Sequence, residues 1–98
     1  MARPEKIPLE VPAALGVGIA SNVFRFRDRT VQVSGTFVAT LQLEGSLDGN
    51  EYVAIGAPIT APALVPVSVT IEFLRVRVTA FTSGEPKATA AGFDFRAF

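Results

Sequence analysis

The acidic residues Asp28, Glu44, Asp48, Glu51, Glu72, Glu85 and Asp94 are the groups from which acid–base chemistry would have to be drawn, because this chain contains no His and no Cys. That absence removes a Ser-His-Asp or Cys-His nucleophile and any His-ligated or thiolate zinc site. A carboxylate pair acting on a glycoside would need two carboxyls facing a cleft roughly 5 to 10 Å apart, which a core this small seldom provides. Glu44, Asp48 and Glu51 lie close together around a turn and would suit Ca²⁺ with backbone carbonyls, but the spacing of an EF-hand loop is not met. Solvation of the turn is their expected role. No catalytic residue, cofactor or metal is expected.

The basic side chains fall into two runs. Arg25, Arg27 and Arg29 form one, Arg75 and Arg77 the other, each at the alternate spacing that puts side chains on one face of a strand. If the two strands are neighbours they form a basic stripe. Two readings stand: a solvated face paired with Glu44, Glu72 or Glu85, or a contact with an acidic protein surface, for which Arg is well suited.

The elements that must carry these residues are strands. Over Thr36 to Gly56, TFVATLQLEGSLDGNEYVAIG, Phe37, Ala39, Leu41 and Leu43 alternate with Val38, Thr40, Gln42 and Glu44. The cluster from Ser46 to Asn50 supplies turn chemistry, and Tyr52, Val53 and Ile55 restart the strand, so this stretch predicts a β-hairpin. Asn22 to Arg27 reads as a strand with Phe24 and Phe26 inward, Asp28-Arg29 as a polar corner, and Thr30 to Ser34 as another short strand. The proline-rich APITAPALVP predicts a surface connection. Val67, Val69 and Ile71 continue the alternation, followed by Leu74, Val76, Val78 and Ala80, and one bent strand would serve both halves. Thr82 to Pro86 is a turn, and Lys87 to Phe98 a closing strand with Phe93 and Phe95 inward. The pattern predicts an all-β fold: an antiparallel sandwich, jelly-roll-like or immunoglobulin-like, in preference to a small barrel.

Pro4, Pro8 and Pro12 recur at every fourth position, which favours extended geometry and forbids a central strand. Ile7, Leu9 and Val11 give that segment one apolar edge. It reads either as an edge strand of the chain's own sheet or as an arm lying on a neighbouring subunit; residues 1–20 are taken as an extended arm and 21–98 as the sandwich domain. At the other end Phe98 has no following chain to cover it and is a docking candidate, as is Phe81 beside its turn.

Composition sets the outer limits. A chain of 98 residues makes one domain that buries roughly 60 to 65% of its unfolded surface. Apolar residues make up 49% and charged residues 18%, which excludes a disordered chain and points to apolar surface left for a partner. Nine basic residues balance nine acidic ones, so no overall field gathers nucleic acid or an anionic membrane. Residues 7–20 resemble a signal-peptide core, but Glu10 and the prolines argue against it, and no run reaches the ~18 to 20 apolar residues of a membrane helix. A soluble protein is expected.

The stretch GTFVATLQLEGSLDGNEYVAIG, with the later LRVRVTAFTSGEP, resembles small β-sandwich structural proteins of tailed bacteriophage particles over residues 35–86. The resemblance implies a virion protein on the capsid surface: a decoration, or cement, protein that binds the major capsid protein and itself, as a trimer in preference to a dimer. Ile7, Leu9, Val11, Arg25, Arg27, Arg75, Arg77 and Phe98 are then the interface candidates. Two alternatives remain. One is a tail, neck or fibre-associated module of the same particles. The other is a carbohydrate-binding module, since an LEGSxDGxxW signature is similar to residues 43–52; there Tyr52 stands where Trp is usual, and the chain is shorter than those modules.

Overall fold

The computed structural model describes residues 3–94. Nine strands follow one another: β1 (Glu5–Leu9), β2 (Gly16–Val17), β3 (Ser21–Asn22), β4 (Phe26–Ser34), β5 (Phe37–Ser46), β6 (Val53–Ile59), β7 (Ala63–Val67), β8 (Phe73–Gly84) and β9 (Lys87–Asp94). They form two antiparallel sheets, with no helix among the described residues. Sheet one runs β1-β9-β4-β7; sheet two runs β2-β8-β5-β6, with β3 also on β8. Short links join β1 to β2, β9 to β8, β4 to β5 and β7 to β6, so consecutive strands of the chain face each other across the layers. Leu9, Val31, Val33, Leu41, Leu43, Val67, Leu74 and Val76 fill the space between the sheets.

The expected hairpin is present as β5 and β6. Its second arm runs further than the sequence suggests: Ile59 pairs with Leu41 across a bulge, so part of the proline-rich connection is strand. The rest of it supplies β7, whose Pro66 lies opposite Thr30. Pro8, Pro58 and Pro66 all lie within strands, and β1, β6 and β7 are all edge strands, where a missing N–H costs no ladder bond.

Several expectations are corrected. Residues 68–72 do not belong to a bent strand with β8; they cross from sheet one to sheet two. Asn22 to Arg27 is not one strand: Asn22 ends β3, Phe26 begins β4, and residues 23–25 turn between them, where Phe26 N donates to Val23 O at 3.0 Å and Phe24 N to Asn22 Oδ1 at 3.0 Å, which buries Val23 and Phe26 and leaves Phe24 outside. The Asp28-Arg29 corner is a bulge inside β4, with Asp28 at φ 53°. In β9 the inward positions are Ala88, Ala90 and Gly92, and Phe93 lies on the opposite face. The reason is space: a Cβ on Gly92 would stand 2.7 Å from Phe26 Cβ and 2.9 Å from Arg27 O. Phe95 and Phe98 lie outside the described residues. Over Glu5–Leu9 the expected arm is an edge strand of the chain's own sheet, paired with β9, and residues 16–17 and 21–22 lie on β8.

Candidate functional site

Two places gather polar side chains. The first is the outer face of sheet two. Glu44 on β5 pairs across the ladder with Arg75, and Gln42 with Arg77, which puts one carboxylate between two guanidinium groups. Arg75 Nε donates to Glu44 Oε1 and Arg77 Nε to Oε2, each at 2.8 Å. Glu44 is only 8% exposed although it lies on an outer face, because the two arginines lie over it. Burial raises its pKa, but the hydrogen bonds and charges of Arg75 and Arg77 outweigh burial and hold it below the usual carboxylate value. The Arg75 guanidinium also lies 3.8 Å from the centroid of the Tyr52 ring. Tyr52 is therefore covered on one face, and cannot offer that face to a sugar.

The Ser46 to Asn50 turn is closed by its own side chains. Asp48 Oδ1 accepts from Asn50 N at 2.8 Å, Glu51 N at 3.0 Å and Ser46 Oγ at 2.9 Å, and these bonds lower its pKa. The acids weighed for calcium are thus separated: Glu44 faces two arginines and Asp48 holds the turn. Among the described residues no three acidic side chains come together.

The second place was not legible in the sequence. At one end of the sandwich the 22–26 turn, the 46–52 turn and the 68–72 crossover converge, with Glu72 N donating to Ser46 O at 2.9 Å and Val23 N to Glu72 O at 2.8 Å. Arg29 ties the 22–26 turn to the crossover: Nη1 donates to Val23 O and Phe26 O at 3.3 Å each, and Nη2 to Val69 O. Burial lowers its pKa, and Nε has no partner. Beside it opens a cleft of about 490 Å³ lined by Phe24, Phe26, Arg29, Val67, Thr70 and Ile71. The turn formers Asn22 and Asp28 were the available signal; that Arg29 would bond three carbonyls could not be read from them.

The interface candidates do not form one surface. Leu9 is buried and Ile7 and Val11 pack on the core, so these three belong to the domain's own interior margin. Arg25 pairs with Asp94 at 3.5 Å and Glu5 at 3.4 Å and lies 4.3 Å over the Phe26 ring. Arg27 is exposed, while Arg29 turns inward. Arg27 and Arg29 lie on β4 of one sheet, with Arg25 in the turn before it, and Arg75 and Arg77 on β8 of the other, so the strands are not neighbours and the runs do not join into one basic stripe. Phe98 falls outside the described residues.

No family model matches the chain, and no curated protein does. Among solved structures it is similar to the SPBc2 prophage-derived protein YomS, with a TM-score of 0.76 and 16% sequence identity, over 95% of this chain and 96% of that one. At that identity the likeness is one of fold.

Proposed function

We propose that this chain is a structural protein of a tailed-phage particle, of the capsid-decoration type, bound to the major capsid protein on the outside of the assembled head. The observation that carries the reading is the end-to-end likeness of fold to a prophage-derived protein of nearly equal extent. Strand order supports it: β1-β9-β4-β7 facing β2-β8-β5-β6 is the order of a jelly roll, an architecture that recurs in viral shells and also in lectins. Three of the acidic side chains, Glu44, Asp48 and Asp94, are engaged by neighbouring side chains or backbone and serve the fold. Copies that bind only the assembled shell stabilise it by mass action, each holding neighbouring subunits together.

Removing residues 1–12 is a poor test, because it strips β1 from β9 and takes buried Leu9 with it. The informative experiment is the copy number of this chain in purified particles, by mass spectrometry against the major shell protein. Near-stoichiometric copies are expected. A handful per particle would move it to the tail or neck, and none would overturn the particle assignment.

A further inference from the structure

Arg29 differs from Arg25, Arg75 and Arg77. Arg25 pairs with Asp94 and Glu5, and Arg75 and Arg77 with Glu44. Arg29 pairs with no carboxylate among the described residues, although it stands opposite buried Val67 in the ladder and so faces the inside of the sandwich. Three of its five N–H groups donate to carbonyls, which complete hydrogen bonds but bring no charge to offset its own. Nε is buried and has no acceptor. A partly buried cation left in this way keeps a positive field that an anion in the adjoining space would offset. The adjoining space is the cleft at the end of the sandwich, and it has room for more than an ion. Its volume of about 490 Å³ lies within the range of ligand sites, roughly 300 to 1,000 Å³. Buried Phe26, Val67 and Ile71 give it an apolar floor. At the rim Phe24 is 55% exposed, in the turn closed by its N–H bond to Asn22 Oδ1, and Val69, between the lining residues Ser68 and Thr70, is 47% exposed. Neither belongs to the core. Asp28 is the one acid among the lining residues, and it forms no ion pair with Arg29.

We infer that this cleft is a binding site for a carboxylate carried on an apolar group, and that its occupant is an acidic residue with an aliphatic or aromatic neighbour in a segment of a partner protein. The carboxylate offsets the charge of Arg29, and the apolar neighbour covers the floor and rim. The rim points to a protein as the source. Phe24 and Val69 stand outside the hollow, so a compact acid that fills it leaves both in water, whereas a peptide segment covers them. Phe and Arg are also side-chain types enriched at protein interfaces. The inference goes beyond the particle assignment and does not need it, because it is tested on the purified chain alone.

NMR titration of the isotope-labelled chain tests it with two pools of acetylated tripeptide amides, in which Leu, Phe or Val flanks a central Glu in one pool and a central Gln in the other. The free acid 3-phenylpropionate is a third probe. The Glu peptides are expected to shift the amide signals of Phe24, Asp28, Val69 and Thr70. They are expected to bind at least about threefold more tightly than the Gln peptides, the effect of one charge roughly 7 Å from Arg29 in a largely aqueous dielectric. Asp28→Asn removes the competing negative charge and keeps a residue that tolerates the φ of 53°. It is expected to tighten the Glu peptides by a similar factor, and Thr70→Glu, at an exposed position, to weaken them. Phe24→Ser is expected to weaken both pools. Equal binding of the two pools, weaker binding of the Glu peptides by Asp28→Asn, or no shift at the cleft with millimolar peptide overturns the inference. 3-Phenylpropionate binding as tightly as the Glu peptides overturns the assignment to a protein partner.

Discussion

Replacing Glu44 by Gln removes the negative charge between Arg75 and Arg77 while keeping the shape of the side chain. The amide oxygen can accept one of the two hydrogen bonds, so one charge-assisted bond is lost, worth about 1.5 kcal/mol for a group this poorly solvated. Two guanidinium groups two residues apart on one strand are then left facing each other at about 7 Å, a repulsion of roughly 0.6 to 1 kcal/mol in a largely aqueous dielectric. Arg77 is 41% exposed and recovers part of its loss from water, whereas Arg75 at 19% does not. The net expectation is a loss of about 2 kcal/mol, which for a domain of this size lowers the melting temperature by about 10 °C. Urea unfolding at pH 7 measures it. The pH dependence supplies a second signature. Glu44 has a folded pKa below its unfolded value, so its contribution is fully present above the unfolded carboxylate pKa and disappears as pH falls through the folded one. The difference between wild type and Glu44→Gln should therefore shrink in acid. A difference below about 0.5 kcal/mol at pH 7, or one that stays constant into acid, would refute the argument that Glu44 acts as an ionised, buried partner of both arginines.

Arg29→Met should cost about 2 kcal/mol by leaving the Val23, Phe26 and Val69 carbonyls without their donor; hydrogen exchange should quicken at Val23 and Glu72 and remain slow at Leu43. Gly84→Ala should be among the most damaging single substitutions, because Gly84 has φ 94° and a Cβ there would stand 2.2 Å from Thr36 O; a loss above about 3 kcal/mol is expected from denaturation. Tyr52→Ala should lose only about 0.5 to 1 kcal/mol of contact with Arg75. On a glycan array the unmodified protein should retain nothing; retention that disappears in Tyr52→Ala would restore the carbohydrate reading.

The sequence by itself determined the all-β class, the β5–β6 hairpin with its Ser46 to Asn50 turn, and the inward row Leu74, Val76 and Val78 of β8, because a strand's period of two and the chemistry of Asp, Asn, Gly and Pro act over a few residues. It offered Glu44, Glu72 or Glu85 as partners for the arginine runs, and the β5–β8 register selects Glu44 for Arg75 and Arg77. It could not determine which strands would be neighbours. The division of the arginine runs between two sheets, the docking of residues 5–9 on β9, and the crossover of 68–72 all depend on contacts between residues far apart in the chain. Alternation identified two faces without saying which was inner, so Phe93 was read inward, whereas Gly92, where a Cβ would strike Phe26, takes the inward position. The prolines at 58 and 66 read as a loop because a missing N–H forbids only a central strand; the tertiary structure makes β6 and β7 edges, where proline is accepted.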